Sequence, residues 1–340
     1  MRAVVKAIAY HLPEAILSNG TLAEQYPEWS VEKIEKKTGI LHRHIAADDE
    51  CASDLAVQAA RKLFAERPGA VEAIDYLLLC TQSPDYLLPT TACLLQARLG
   101  LRNTIGALDI NLGCSGFVYG LGLAKGLIES GQAERVLMIT AETYTKFIHP
   151  ADKSVRTIFG DGAAATLIEG EPVSAPDPVH GIGPFVFGTD GRGGPNLIVP
   201  AGGMRRKTAT GHSSAVEDAL EKYLYMNGGE IFKFSMQTVP GSVEKVLLKA
   251  GKRLDEIDLF VFHQANRYML ENLRKKIGIP EEKFVIDLHN CANTVSATIP
   301  IALKRAQVDG RLRPGMRVMV VGFGVGYSWA AALLRWAPGQ

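Results

Sequence analysis

Three residues in this 340-residue chain have types and neighbours suited to acyl-group chemistry: Cys114, His263 and Asn293. Cys114 lies in Asn111-Leu-Gly-Cys-Ser-Gly116, between an apolar strand-like run and an apolar helical run. Small neighbours permit a sharp strand-to-helix turn that presents the thiol at a helix N-terminus. There the macrodipole and unpaired N–H groups favour the nucleophilic thiolate and can hold an oxyanion. A buried structural cysteine fits the same context, and most free cysteines are of that kind; on these residues alone the two readings stand level. His263 ends the apolar run 259–262 and precedes Gln264-Ala-Asn266. A polar cluster at the C-terminal end of a strand is where α/β proteins form ligand sites, although a lone histidine there is more often a satisfied strand-end residue. Asn293, in Cys291-Ala-Asn-Thr294, is by itself a turn residue.

An internal repeat brings the three together. Glu72-Ala-Ile-Asp75 followed by YLLLCTQ reads against Asp255-Glu-Ile-Asp258 followed by LFVFHQAN. Leu108-Asp109-Ile110 runs into the Cys114 turn and a helix, as Ile286-Asp287-Leu288 runs into the Asn293 turn and a helix. RVLMITAE (135–142) then matches RVMVVGFG (317–324). The offsets are 183, 178 and 182 residues, in one order. The chain therefore reads as two similar halves, 1–175 with the cysteine and 176–340 with the histidine and asparagine, joined where Gly and Pro cluster. If the halves superpose, two equivalent turns aim a Cys and an Asn at one axis with His263 nearby. Together they supply a nucleophile, a proton manager and an amide donor.

The elements that must position them alternate. Residues 4–10, 76–80, 107–111, 136–139 and 163–168 read as strands, and 53–63, 91–99, 116–129 and 242–250 as helices. That alternation implies an α/β protein with a sheet covered on both faces. Phe159-Gly-Asp-Gly162 reads as a tight turn near the site, before an alanine-rich strand. Gly322-Phe-Gly-Val-Gly326 precedes YSWAAALLRW, another strand, so a dinucleotide fingerprint is disfavoured. Residues 200–214, PAGGMRRKTATGHSS, read as a loop, solvated or meeting an acidic partner or phosphate.

Composition excludes several classes. Lys+Arg minus Asp+Glu is 37 − 36 = +1, against a basic nucleic-acid binder. Hydrophobic residues are 47% and charged ones 21%, a globular balance. Five cysteines without a CxxC pair argue against a disulfide framework or zinc knuckle, and fit a reducing, cytoplasmic location. No apolar stretch is long enough to span a membrane. Walker A, HExxH and GxSxG motifs are absent, as is any ligand cluster for metal catalysis.

Over nearly its whole length the sequence resembles the β-ketoacyl-acyl carrier protein synthase III family of the thiolase fold. The likeness is carried by KKTGILHRHIA (36–46), the Cys114 turn, IFGDGAA (158–164), GTDG (188–191), MNGGEIFKF (226–234), HQAN (263–266), NTVSATIP (293–300) and GFGVGYSW (322–329), with 30 residues from His263 to Asn293. The resemblance implies a five-layered αβαβα homodimer with a Cys114–His263–Asn293 triad and no metal or redox cofactor. Cys114 would take an acyl group from acyl-CoA. Malonyl-acyl carrier protein would then lose CO2, with His263 and Asn293 holding the enolate, and the carbanion would attack acyl-Cys114. It further implies an oxyanion hole from the N–H groups of Cys114 and Val325, Phe323 beside the triad, and Leu88 reaching the partner subunit's acyl channel. CoA or carrier binding would fall to Trp29, Lys37, Lys153 and Asn266.

The sequence departs from the family at four places. Val325 replaces the middle of three glycines, crowding that loop, and Trp29 stands ten residues before Gly39, where housekeeping members have a shorter spacing. Lys153 stands for a customary arginine, and the region 200–222 is long. These departures weigh against taking over the family's acetyl-CoA starter and extender carrier, and suggest a specialised paralogue. Two competing functions remain: an acyltransferase passing the group from Cys114 to a hydroxyl or amine, and a non-catalytic carrier-protein-binding partner. The intact triad disfavours the second.

Overall fold

The computed structural model describes residues 1–173, 181–207 and 221–337. The junction expected at 175 and the 208–214 part of the basic loop lie outside the described residues. Two sheets carry the architecture. The first runs, in spatial order, Arg2–His11, Gly162–Glu171, Arg135–Glu142, Tyr76–Cys80 and Gly106–Ile110. Its last three strands are parallel and the first two pair antiparallel to their neighbours. The second runs Ile182–Thr189, Ser328–Arg335, Arg317–Gly324 and Leu259–Phe262, with the same sequence of directions. The second half's counterpart of Gly106–Ile110 is a single parallel bridge between Phe260 and Phe284, so the Ile286-Asp287-Leu288 match is real in position but does not form a strand.

Three cores make five layers. Between the sheets lie helices Gly116–Glu129 and Thr298–Val308, with Phe117, Val118, Leu121, Ile299 and Leu303 buried against strand residues of both halves. The spacing of Phe117, Leu121, Ala124 and Ile128 puts them on one face of the first helix, and each large side chain so buried contributes about 1.5–3 kcal/mol. Helices Ala52–Glu66 and Thr91–Arg98 cover the outer face of the first sheet. Helices Gly228–Ala250 and Arg267–Ile277 cover the second. This is the five-layered αβαβα arrangement of two duplicated halves. Among the described residues no helix is long and apolar enough to cross a membrane.

The helix Gly228–Ala250 is longer than the expected 242–250 segment. Pro240 and Gly241 interrupt its pattern, yet Ile231, Phe234, Val239, Val243 and Val246 bury one face against the second sheet. Packing outweighs their poor propensity.

Candidate active site

Cys114 closes the turn between strand Gly106–Ile110 and helix Gly116–Glu129, one residue before the N-cap Ser115. The turn is pinned from below by Gly116 N–H to the Gly113 carbonyl (2.8 Å) and across to the other half by the hydroxyls of Ser115 and Ser328 (2.7 Å). Two glycines of the neighbouring strand make room for it. A Cβ on Gly322 would lie 2.7 Å from the Cys114 carbonyl oxygen, and one on Gly324 would lie 2.8 Å from both Cβ and Sγ of Cys114. Glycine is required there by closeness, not by a dinucleotide.

His263 follows strand Leu259–Phe262 and is 2% exposed. Its Nδ1 is 2.8 Å from Oγ1 of Thr298, whose hydroxyl donates to the Val295 carbonyl at 3.0 Å. A hydroxyl has one proton to donate, so it accepts from Nδ1–H, which leaves the lone pair on Nε2. Phe323 stands edge-on to the imidazole at 5.7 Å. Asn293 lies in a turn bound to the 158–160 segment, by Asn293 N–H to the Ile158 carbonyl (3.0 Å) and Gly160 N–H to the Asn293 carbonyl (3.1 Å). Its side-chain Oδ1 accepts from Val295 N–H at 2.9 Å, so the amide NH2 is the group left for a ligand. The Phe159-Gly-Asp-Gly162 turn thus sits directly against Asn293. Asp161 anchors it, accepting from the backbone N–H groups of Ala46 and Thr145 and from the Thr145 hydroxyl.

Cys114, His263 and Asn293 line one cavity of about 100 Å3 with Phe323, Phe159 and Asn266. A second chamber of about 550 Å3 shares Leu197 with it and is walled by Tyr144, Phe147, Leu224, Leu87 and Val325. The Val325 side chain faces this larger chamber. It also packs on the Cys114 turn, its Cγ1 lying 3.0 Å from where a Cβ on Gly113 would sit, while the Val325 backbone N–H donates to the Cys114 sulfur.

Burial sets the resting protonation. It pushes the Cys114 thiol up to about 12, with nearby Glu142 adding to the rise; the N–H groups of Val325 and Cys114 pull the other way and lose. The thiol, not the thiolate expected from a helix terminus, is the resting form. Burial also pushes His263 down to about 3, so its ring is neutral. A neutral base beside a protonated thiol is competent for proton transfer on attack.

The remaining expected residues divide. Asn266 lines the cavity, but its side-chain oxygen caps helix Arg267–Ile277 through Met269 N–H (2.8 Å). Trp29, Lys37 and Lys153 form a separate cluster: the Lys37 ammonium is 4.9 Å from the Trp29 ring centre, and Lys153 pairs with Glu28. Gly39, at φ +74°, docks the helix carrying Lys37 against Arg267, the residue after Asn266. Leu88 is 86% exposed and lines neither space in its own chain.

Sequence reasoning missed Glu142. It ends strand Arg135–Glu142 fully buried and accepts from Ser296 Oγ (2.7 Å), Ser83 Oγ (3.1 Å) and Gln82 N–H (3.1 Å). Its one sequence signal is an acid closing an otherwise apolar strand, RVLMITAE. Among the described residues no three His, Cys, Asp or Glu side chains gather as a metal site.

Comparison with known proteins agrees. The family model described as 3-oxoacyl-[acyl-carrier-protein] synthase III matches residues 108–191, and its C-terminal companion matches 247–336. A β-ketoacyl-[acyl-carrier-protein] synthase III from Streptomyces coelicolor is 39% identical over 98% of this chain and 97% of its own. One from Syntrophomonas wolfei is 37% identical over 100% and 99%. A crystal structure of a 3-oxoacyl-(acyl-carrier-protein) synthase III superposes with a TM-score of 0.93 at 53% identity, covering 99% of this chain and 100% of that one. The priming β-ketosynthase of the R1128 polyketide pathway superposes at 0.86 with 28% identity, over 100% and 97%. With family models on both halves and full-length relatives above a third identical, the chain belongs to the β-ketoacyl-acyl carrier protein synthase III family.

Proposed function

We propose that Cys114, His263 and Asn293 carry the condensation of this family. The protein is an acyltransferase-class condensing enzyme that joins an acyl-CoA to malonyl-acyl carrier protein, in fatty acid or polyketide biosynthesis. The observation that carries the assignment of roles is the shared cavity of a protonated thiol, a neutral imidazole and an outward amide donor.

In the first half-reaction Nε2 of His263 takes the Cys114 proton as Sγ attacks the thioester carbonyl. The N–H groups of Cys114 and Val325 receive the oxyanion. Collapse forms the acyl-Cys114 bond, breaks the C–S bond to CoA, and returns the proton to the departing thiolate. In the second, the malonyl thioester oxygen sits on the Asn293 amide and the His263 ring, for which the Thr298 hydroxyl turns to donate to Nδ1 and Nε2 carries the proton. Loss of CO2 leaves the C–C bonding pair as an enolate, which attacks acyl-Cys114. Collapse releases the β-ketoacyl-carrier product and the Cys114 thiolate, which is reprotonated from solvent. No step calls for a metal or redox cofactor.

The acyl chain would enter the 550 Å3 chamber beyond Tyr144. A homodimer is supported by the open outer edge of strand Gly106–Ile110, where Leu108 is 44% exposed, and by the exposed pair Leu87 and Leu88. The assigned substrates favour a cytoplasmic location.

The test is intact-protein mass spectrometry after incubation with acyl-CoAs from acetyl to dodecanoyl, followed by malonyl-acyl carrier protein. An adduct on Cys114 that malonyl discharges with CO2 release is the expected result. An adduct that malonyl leaves in place would assign the acyl group to a hydroxyl or amine acceptor, and no adduct would point to a carrier-bound donor or a non-catalytic carrier-binding role.

A further inference from the structure

Glu142 takes no part in the steps above, yet its carboxyl group is the junction of three segments that build the site. One oxygen accepts from Ser296, on the 293–298 turn of the second half; the other accepts from Ser83 and from Gln82 N–H, on the segment that walls the larger chamber. Ser83 in turn receives Thr143 N–H at 2.9 Å. All three groups reaching the carboxyl are donors, and none of the three residues is more than partly exposed.

The turn that Ser296 belongs to needs such a restraint. Ala292 and Val295 both hold left-handed backbone, at φ +62° and +54°, without being glycine. Residues in that region persist only when their surroundings over-determine them, and Val295 is β-branched, the least tolerant type. Ser296 follows Val295 directly, Val295 N–H fixes Asn293, and the Val295 carbonyl holds the Thr298 hydroxyl that meets His263. Releasing Ser296 therefore loosens the two residues assigned to the enolate while leaving the Cys114 turn on its own supports, Gly113 and Ser328.

We propose that Glu142 is a positioning residue for the condensing half-reaction: a strut between the two halves that, through Ser296, holds the strained 293–298 turn so that Asn293 and His263 keep their aim. The proposal rests on the assignment of those residues to the enolate.

The experiment compares wild type, Glu142→Gln and Ser296→Ala in three readings. These are the acylation rate of Cys114 by intact mass, CO2 release from malonyl-acyl carrier protein by the acylated enzyme, and backbone amide exchange of the peptide covering 291–298. Ser296→Ala should acylate within about threefold of wild type, and both variants should lose about tenfold or more in kcat of condensation with KM little changed and exchange faster in the turn. Glutamine keeps the volume and puts a fixed NH2 in place of one carboxyl oxygen. Should Glu142→Gln fold poorly, Ser296→Ala decides, since it removes only the link to the turn. Wild-type condensation or unchanged exchange in Ser296→Ala overturns the strut, as does an equal loss in both half-reactions. The exchange reading needs no turnover, so an inactive wild type would overturn the assigned reaction and leave the strut to be judged on exchange alone.

Discussion

The turns at Cys114 and Asn293 occupy equivalent places in the two halves, each leading into a central helix, but they are built in opposite ways. The first is close-packed but has no non-glycine residue in left-handed backbone: Gly113 and Gly116 lie in it, Gly322 and Gly324 face it, and a complete strand, Gly106–Ile110, leads into it. The second contains no glycine, holds two residues in left-handed backbone, and follows a strand reduced to one bridge. The difference matches the two tasks. A nucleophile must be approached closely by donors and by substrate, which glycines allow. An amide donor must point in one direction, which strain and hydrogen bonds enforce. Duplication supplied one scaffold, and chemistry divided the turns.

The comparison is broken most sharply by removing each turn's functional atom. Cys114→Ala should abolish the acyl adduct and lower condensation by about 1000-fold or more, with dimerisation and fold retained; an adduct elsewhere that still discharges would sink the assignment. Asn293→Ala should acylate within a few-fold of wild type and lose about 100-fold in condensation. Glycine substitutions then test the architecture alone. Gly324→Ala places a methyl 2.8 Å from the Cys114 sulfur, and Gly160→Ala places one 2.9 Å from the Cys291 carbonyl beneath the Asn293 turn. Displacing reacting groups by about 1 Å costs about 100-fold. The first should therefore depress acylation and the second mainly condensation, as single-turnover rates would reveal. Equal effects from both would show that the turns are not independent.

A smaller effect separates the two halves by pH. Burial raises the folded-state pKa of Glu142 to about 8 from 4.5, so the folded protein binds the proton more tightly than the unfolded chain does. That contribution to stability is present below the unfolded value and is lost as pH rises through the folded one. His263 runs the other way: its folded pKa is lowered to about 3 from 6.5, so its contribution is present above 6.5 and is lost as pH falls. Between pH 6.5 and 8 only Glu142 of this pair changes stability. Wild-type Tm should fall across that window and Glu142→Gln should fall less; parallel curves would mean that Glu142 keeps an ordinary carboxylate pKa.

These contrasts also explain what the sequence could disclose. The helix Gly116–Glu129 is legible to the residue because its apolar face repeats at helical spacing and glycine follows it at 131. The gathering of Cys114, His263 and Asn293 at one cavity was legible because the repeat aligned two turns that neither motif alone would have joined. Three things were hidden. The front of helix Gly228–Ala250 carries Gly228, Gly229, Pro240 and Gly241, which local propensity reads as breaks and which packing against the second sheet overrides. The resting state of Cys114 depends on burial, a tertiary quantity, which outweighs the helix terminus visible in the sequence. Glu142 acts through Ser296, 154 residues away, and no local pattern links them.

The smallest expected effect lies farthest from the cavity, and it asks whether the Trp29 cluster serves the donor at all. The family resemblance would give Lys153 a contact with the adenine of CoA, but its ammonium is held by Glu28, whose carboxyl that contact draws below its usual range. Both side chains are substantially exposed, 43% and 53%, so the pair is weak and exchangeable. If CoA takes Lys153, it competes with Glu28. Lys153→Ala should then raise KM for acyl-CoA by up to about fivefold, while Glu28→Gln, which frees the lysine, should lower it. In both, kcat and the discharge of acyl-Cys114 by malonyl-acyl carrier protein should hold, because neither residue touches the Asn293 turn. Opposite shifts in KM would bring this cluster into the first half-reaction; shifts of the same sign, or none, would leave Trp29, Lys37 and Lys153 as a solvated face stacked for its own sake.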